Sequence, residues 1–172
     1  MKNNHTIEGI QRQKRKEQRV ADLLTRNAIS FDREVQIDFS CFKTDGKLAR
    51  IDFVISRPER SLLFLLECDE EEHSWYDLGC ETRRMNDVVS AVLGKAEHIC
   101  FVRYNPDAFS VDGVKQKVDR ATRESGLISF LHKHRQATVF EVVYLNYSTK
   151  DGKPVFFHDE RFSEFREIAS FF

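Results

Sequence analysis

Leu62-Leu63-Phe64-Leu65-Leu66-Glu67-Cys68-Asp69-Glu70-Glu71-Glu72-His73 runs an unbroken apolar stretch straight into a string of acids that ends on an imidazole. A strand hydrophobic on both faces is buried in the middle of a sheet, so its last residues sit at the rim, where sites are built. Successive strand side chains alternate faces, which sends Glu67 and Asp69 to one side and Cys68 to the other, into the core. Carboxylates held at such a rim, with His73 within a turn's reach, suit a hard divalent cation and a proton shuttle.

Upstream, residues 33 to 40 alternate Val35, Ile37 and Phe39 against Gln36, Asp38 and Ser40, the period of a half-buried strand. Thr44-Asp-Gly46 then turns the chain, and Leu48 to Ser56 reads as a second strand with Ile51, Phe53 and Ile55 on one face and Asp52 among the opposite set. Arg57-Pro58-Glu59 closes it, so three consecutive strands joined by short connections predict an antiparallel or mixed meander. Before them, Ile10 to about Arg26 reads as a helix striped by Val20, Ala21, Leu23 and Leu24. Glu17 shares that apolar face, so it has a partner or points at a site.

Downstream, Met85, Val88, Val89 and Val92 fall at helical spacing within a segment from about Cys80 to Lys95. His98 to Tyr104 is a further apolar strand ended by Asn105-Pro106, and a helix-to-strand return of this length permits a parallel crossover. Beyond it the pattern predicts helical segments over 113 to 124 and 127 to 134, a strand over 138 to 147, a turn at Lys150-Asp-Gly152 and a final helix holding Phe162, Phe165 and Ile168. The fold class expected is α/β in the broad sense (α+β), a mixed central sheet flanked by helices with a C-terminal helical and strand extension. The 172 residues predict one domain, with a core over about 10–107 and an extension over about 108–172.

A chain 41% hydrophobic with 15 Phe has material for a packed interior, and 32% charged residues exclude a membrane-embedded protein. Cys41, Cys68, Cys80 and Cys100 stand singly, and no early apolar run precedes a cleavage site, which predicts reduced thiols and an intracellular location, cytoplasm or nucleus. The net charge of -1 hides segregation: Arg12, Lys14, Arg15, Lys16 and Arg19 make the first helix basic, while acids crowd Glu67 to Glu72. Such a basic run is more often a solvated helix face than a binding surface, and becomes a phosphate contact if the substrate is nucleic acid. Glu70, Glu71 and Glu72 read as a solvated acidic loop. Cys68, His73, Cys80 and His98 match no compact zinc signature. The C-terminal phenylalanines read as core packing, and a homodimer is left open.

The order of elements, with Asp52 and Glu67 on short strands between two helices, resembles the restriction-endonuclease-like fold of the PD-(D/E)XK nuclease superfamily. Glu17, Arg50-Ile-Asp52-Phe53, Glu67-Cys-Asp69, His73 and Arg84-Met-Asn-Asp87, followed by Ile99-Cys-Phe-Val-Arg103, are similar to the pattern of its EDxHD branch, related to very-short-patch-repair and certain homing endonucleases. The resemblance covers about residues 15 to 107. It implies Mg²⁺-dependent hydrolysis of phosphodiesters, in DNA before RNA, with Mn²⁺ able to substitute. Asp52 and Glu67 would hold the ion, with the Cys68 carbonyl as a further ligand. His73 would move the proton, oriented by Asp87, while Glu17 completes the shell and Arg84 contacts phosphate. Asp69 stands where the superfamily's commonest pattern has a lysine, and as a catalytic residue it would join the metal shell instead. That departure keeps open a second reading, a catalytically weak or inactive nucleic-acid-binding module of the same fold.

Overall fold

Every side chain of Leu62–Cys68 is buried, as a strand apolar on both faces requires. The computed structural model describes residues 7–38, 48–73, 78–134 and 139–155. Along the chain come helix α1 (Ile7–Arg26), strands β1 (Asp32–Asp38), β2 (Leu48–Arg57) and β3 (Leu62–Cys68), helix α2 (Leu78–Val92) and strand β4 (His98–Tyr104). A small hairpin of β5 (Ser110–Val111) and β6 (Val114–Lys115) follows, then helix α3 (Arg120–Lys133), strand β7 (Phe140–Leu145) and a second hairpin of β8 (Thr149–Lys150) and β9 (Lys153–Pro154).

The main sheet has the order β1-β2-β3-β4-β7. Its first three strands are antiparallel neighbours, whereas β4 runs parallel to both β3 and β7. This is the mixed α+β architecture expected, with β3 in the middle. The crossover through α2 supplies the parallel return, because a direct hairpin cannot join parallel strands. A second, smaller sheet pairs the two hairpins in the order β6-β5-β8-β9.

Alternation along β3 and β4 feeds two cores. Phe64, Leu66, Cys100 and Val102 pack with α1 and α3, whose Leu24, Leu127 and Leu131 are buried there. Leu63, Leu65, Ile99 and Phe101 pack on the other face against Met85, Val88 and Val92 of α2. Truncating such a fully buried leucine, Leu65 for instance, costs about 2–5 kcal/mol through lost transfer energy and the cavity left behind. In β1, Glu34 takes a positive φ of 52°, a local distortion of the strand. Ile51, expected on one face with Phe53 and Ile55, instead joins Ile37 and Ala49 in the α2-side core, while Phe53 and Ile55 pack on the α1 side, so the alternation of β2 is broken between Ile51 and Phe53, opposite the distorted Glu34.

Several sequence expectations change. Helix α1 starts at Ile7 instead of Ile10, because Gly9 in a first turn costs only about 1 kcal/mol and does not stop a helix. Residues 113 to 124 are not one helix. Asp112 and Gly113 take φ of 49° and 79°, the two-residue hairpin turn joining β5 to β6. The helix then opens at Asp119, whose side chain caps it by accepting from the Thr122 N–H at 2.8 Å, and runs unbroken to Lys133. Strand β7 is shorter than the predicted 138 to 147 at both ends, and Asn146, at φ 60°, turns the chain away from the sheet. The turn at Lys150-Asp-Gly152 is present, joining β8 to β9. Phe39, Ser40, the Thr44-Asp-Gly46 turn and the helix expected around Phe162, Phe165 and Ile168 lie outside the described residues. No helix among the described residues is long and apolar enough to cross a membrane.

Candidate functional site

Antiparallel pairing sets Phe53 of β2 opposite Leu66 of β3, and the same register carried one residue further places Asp52 beside Glu67. Glu67 leaves the sheet on the face that holds Leu65 and α2, whereas Asp52 sits where β2 passes from Ile51 in the α2-side core to Phe53 in the α1-side core. Asp52 is only 9% exposed, and its Oδ2 accepts from the Cys68 N–H at 2.9 Å. Burial pushes its carboxyl up to about 9, and the neighbouring charge of Glu67 pushes the same way, with smaller contributions from Glu17 and Asp69. Glu67 is buried as well, and burial holds it above the ordinary carboxylate range against the pull of Arg84.

Arg84, expected as a phosphate contact, is turned onto the site itself. Its Nη2 donates to Glu67 Oε1 at 2.5 Å and to the Arg50 carbonyl at 2.8 Å. Its Nη1 lies 3.8 Å from Glu81 Oε2. Glu81 in turn accepts from Arg103 Nη1 at 3.1 Å. Arg103 is fully buried and donates through Nε to Asp69 Oδ2, the same oxygen that accepts the Tyr147 hydroxyl. Asp69 is fully enclosed and occupied by these two partners. A ladder of alternating charge thus runs Asp69, Arg103, Glu81, Arg84, Glu67 and stops at Asp52. With all groups ionised it holds four carboxylates against two guanidinium groups.

Glu17 is buried within the apolar stripe of α1, its Oε2 3.8 Å from Arg33 Nη2, and its charge is felt at Asp52. The residues from Glu70 to Glu72 are not the solvated loop expected. Glu70 and Glu72 are each 4% exposed, and only Glu71 faces solvent. Glu72 Oε1 accepts from the Ser148 N–H at 3.0 Å and from its hydroxyl at 2.6 Å, so the C-terminal extension covers it. Burial raises the Glu72 carboxyl, and these hydrogen bonds pull the other way. Glu71 and Glu72 both take positive φ, 51° and 62°, which lets the chain leave β3 in a tight left-handed turn.

His73 closes that turn, but its side chain lies outside the described residues, and so does the pairing expected between it and Asp87. Asp87 itself is half-buried on α2, one turn beyond Arg84. Of the basic run, Lys14, Arg15 and Arg19 are exposed on α1, and Arg15 donates back to the Gln11 carbonyl at 3.3 Å. Lys16 is committed to Asp107, at 2.6 Å, and Asp107 also accepts from the Glu71 N–H at 3.0 Å. The Arg12 side chain lies outside the described residues. Cys68 points into the core opposite Glu67, as alternation requires. His98, at the other end of the β3–β4 ladder, stands roughly 20 Å from Cys68, so that pair cannot share an ion.

Arg103, Glu81, Tyr147 and Ser148 were not among the sequence candidates. One had a signal: an arginine inside the apolar run Ile99-Cys-Phe-Val-Arg103 cannot be buried without a carboxylate partner. Asp52 and Glu67 stand as a pair. Among the described residues, the threesome of metal-ligating side chains whose ligand atoms all lie within 4.8 Å of one another is elsewhere, at Cys100, His134 and Glu141. Comparison of the chain with protein-family models, with curated proteins and with solved structures finds no match in any of the three.

Proposed function

We propose that the chain is a metal-dependent phosphodiesterase, an endonuclease of the PD-(D/E)XK kind acting on nucleic acid, with Asp52 and Glu67 as the ligands of a divalent cation. The observation that carries this reading is the charge ladder: four carboxylates against two guanidinium groups leave two negative charges, the charge of one such ion, and the excess sits at the Asp52 end. Two carboxylates on adjacent strands fit Mg²⁺, which takes one or two carboxylates and keeps several waters. Mn²⁺ fits the same oxygen donors.

When bound, the ion supplies charge neutralisation at the scissile phosphate and a more acidic water. The residues of the chain do the positioning. The Cys68 N–H fixes the Asp52 carboxylate, and Arg84 fixes Glu67. Hydrolysis adds water across a P–O bond and leaves a phosphate monoester and a hydroxyl. In this reading His73 delivers the proton that the leaving oxygen needs, with Asp87 behind it, and Glu17 closes the site from α1. Lys14, Arg15 and Arg19 offer the exposed positive charge that tracks a phosphate backbone.

Asp69 favours the second reading, a non-cleaving nucleic-acid-binding module, because the position where a catalytic lysine would stand is locked onto Arg103 and Tyr147. Incubation of supercoiled plasmid with the protein and Mg²⁺ separates the two. The enzyme reading expects nicking that falls by about 100-fold or more in Asp52→Asn and Glu67→Gln, on the scale of losing one electrostatic stabiliser. Absence of nicking on DNA and on RNA, together with no divalent binding by calorimetry, overturns it. Retention of nucleic acid at low salt under those conditions supports the module.

A further inference from the structure

On the opposite face of the sheet, Cys100 and Glu141 are direct neighbours in the parallel β4–β7 ladder, so their side chains emerge side by side. His134, the residue that ends α3, reaches down to them, its Nε2 against Glu141 Oε1. All three are buried, and their ligand atoms lie within 4.8 Å of one another. The imidazole is held from several sides. The Phe130 and Phe64 rings stand 4.5 Å and 5.9 Å from it, and Arg60 Nη1 donates to the His134 carbonyl at 3.4 Å.

We propose that Cys100, His134 and Glu141 form a zinc site, distinct from the Asp52–Glu67 pair and on the other side of the sheet. Zinc bonds of about 2.0–2.3 Å place ligand atoms around one ion roughly 3–4 Å apart, so this cluster is already close to the spacing required. Thiolate and imidazole select zinc over the hard cations that suit Asp52 and Glu67. Charge favours it too. A thiolate and a carboxylate balance Zn²⁺ with the imidazole neutral, and a neutral assembly is what an apolar core tolerates. Zn²⁺ takes the place of the proton shared by His134 and Glu141, and that proton and the thiol proton leave to solvent. Three protein ligands leave the fourth position to water. The competing description is a hydrogen-bonded histidine–glutamate pair beside an ordinary core cysteine.

The test uses the full chain. Elemental analysis is expected to find one zinc per chain, and zinc is expected to raise the melting temperature of the chelator-treated protein. Replacement by Co²⁺ should give a thiolate-to-cobalt charge-transfer band in the near ultraviolet. That band should vanish in Cys100→Ser, persist in Cys80→Ser, and weaken in Glu141→Gln, with zinc affinity falling by at least the roughly 10–100-fold that loss of even an outer partner costs. Asp52→Asn should keep full zinc content, which separates this site from the proposed nuclease centre. The proposal is overturned if the wild-type chain binds no zinc and melts identically with and without it, or if the cobalt band survives Cys100→Ser. The wild-type titration decides the matter even where a variant fails to fold.

Discussion

Glu67 and Asp69 are two residues apart at the end of one strand, yet they live in opposite electrostatic circumstances. Asp69 is enclosed with a buried arginine and a tyrosine hydroxyl on it. Glu67 shares Arg84 with Glu81 and stands beside Asp52, which accepts from the Cys68 N–H and lies under the influence of three other carboxylates. Matched charge makes a girder, and unmatched charge makes a place for a ligand. The same physics governs both, since a buried carboxylate must find a counter-charge or keep its proton.

The most damaging way to break this contrast is to unmatch the matched side. Arg103→Met strands Asp69 in the interior, leaves Glu81 only its more distant arginine, Arg84, and is expected to destabilise the fold by about 3–5 kcal/mol in denaturant titration. Adding Asp69→Leu should recover much of that loss; if the double variant is no better than the single one, the pair is not the unit described here. Tyr147→Phe removes one donor from Asp69 while Arg103 stays, and should cost about 1–2 kcal/mol. A change below the error of the measurement would mean that the hydroxyl is incidental.

On the unmatched side the sign reverses. Asp52→Asn removes a carboxyl that must take up a proton on folding near neutral pH, so it should stabilise by about 1 kcal/mol there, or roughly 2–4 °C for a chain of this size. A lower melting temperature would contradict the contrast. The pH dependence follows. With the folded-state carboxyl pushed up from 3.8 to about 9, the folded protein keeps a proton that the unfolded chain releases. Its contribution is full below the unfolded value and is lost as pH rises toward 9, so stability should decline across that window. Under the proposed function Mg²⁺ would compete with that proton, so its stabilising effect should grow with pH, and Asp52→Asn should abolish both trends. Melting curves at several pH values with and without Mg²⁺ read this directly.

What the sequence made legible was whatever depended on neighbours in the chain. The runs at Leu62–Cys68 and His98–Tyr104 are strands with the predicted limits, because a segment apolar on both faces has only the sheet interior to go to. Met85, Val88, Val89 and Val92 line the buried side of α2 for an equally local reason. Asp112-Gly113 and Asp119 carried their turn and cap signals in plain view, but strands of two residues leave no periodicity to read, and a helical reading covered them. At the site, Asp52 and Glu67 were legible as a pair because short connections make β2 and β3 antiparallel neighbours, whose register sets the two side by side. Glu70 and Glu72 were not, since what buries Glu72 is Ser148, far along the chain and across the fold. The Cys100, His134 and Glu141 cluster was invisible for the same reason: it is assembled by the β4–β7 pairing, which no local pattern announces.

The hold of Tyr147 and Ser148 on the acidic turn has a consequence for the order in which the protein is made. A chain emerging from the ribosome exposes Asp52 and Glu67 long before residues 147 and 148 exist, and β4 waits meanwhile for its neighbour β7. Until those late residues arrive, Asp69 lacks one of its donors and Glu72 lacks both of the Ser148 groups it accepts from. The rim of the site is therefore finished last, and a partly synthesised chain carries its acids without the frame that sets their geometry.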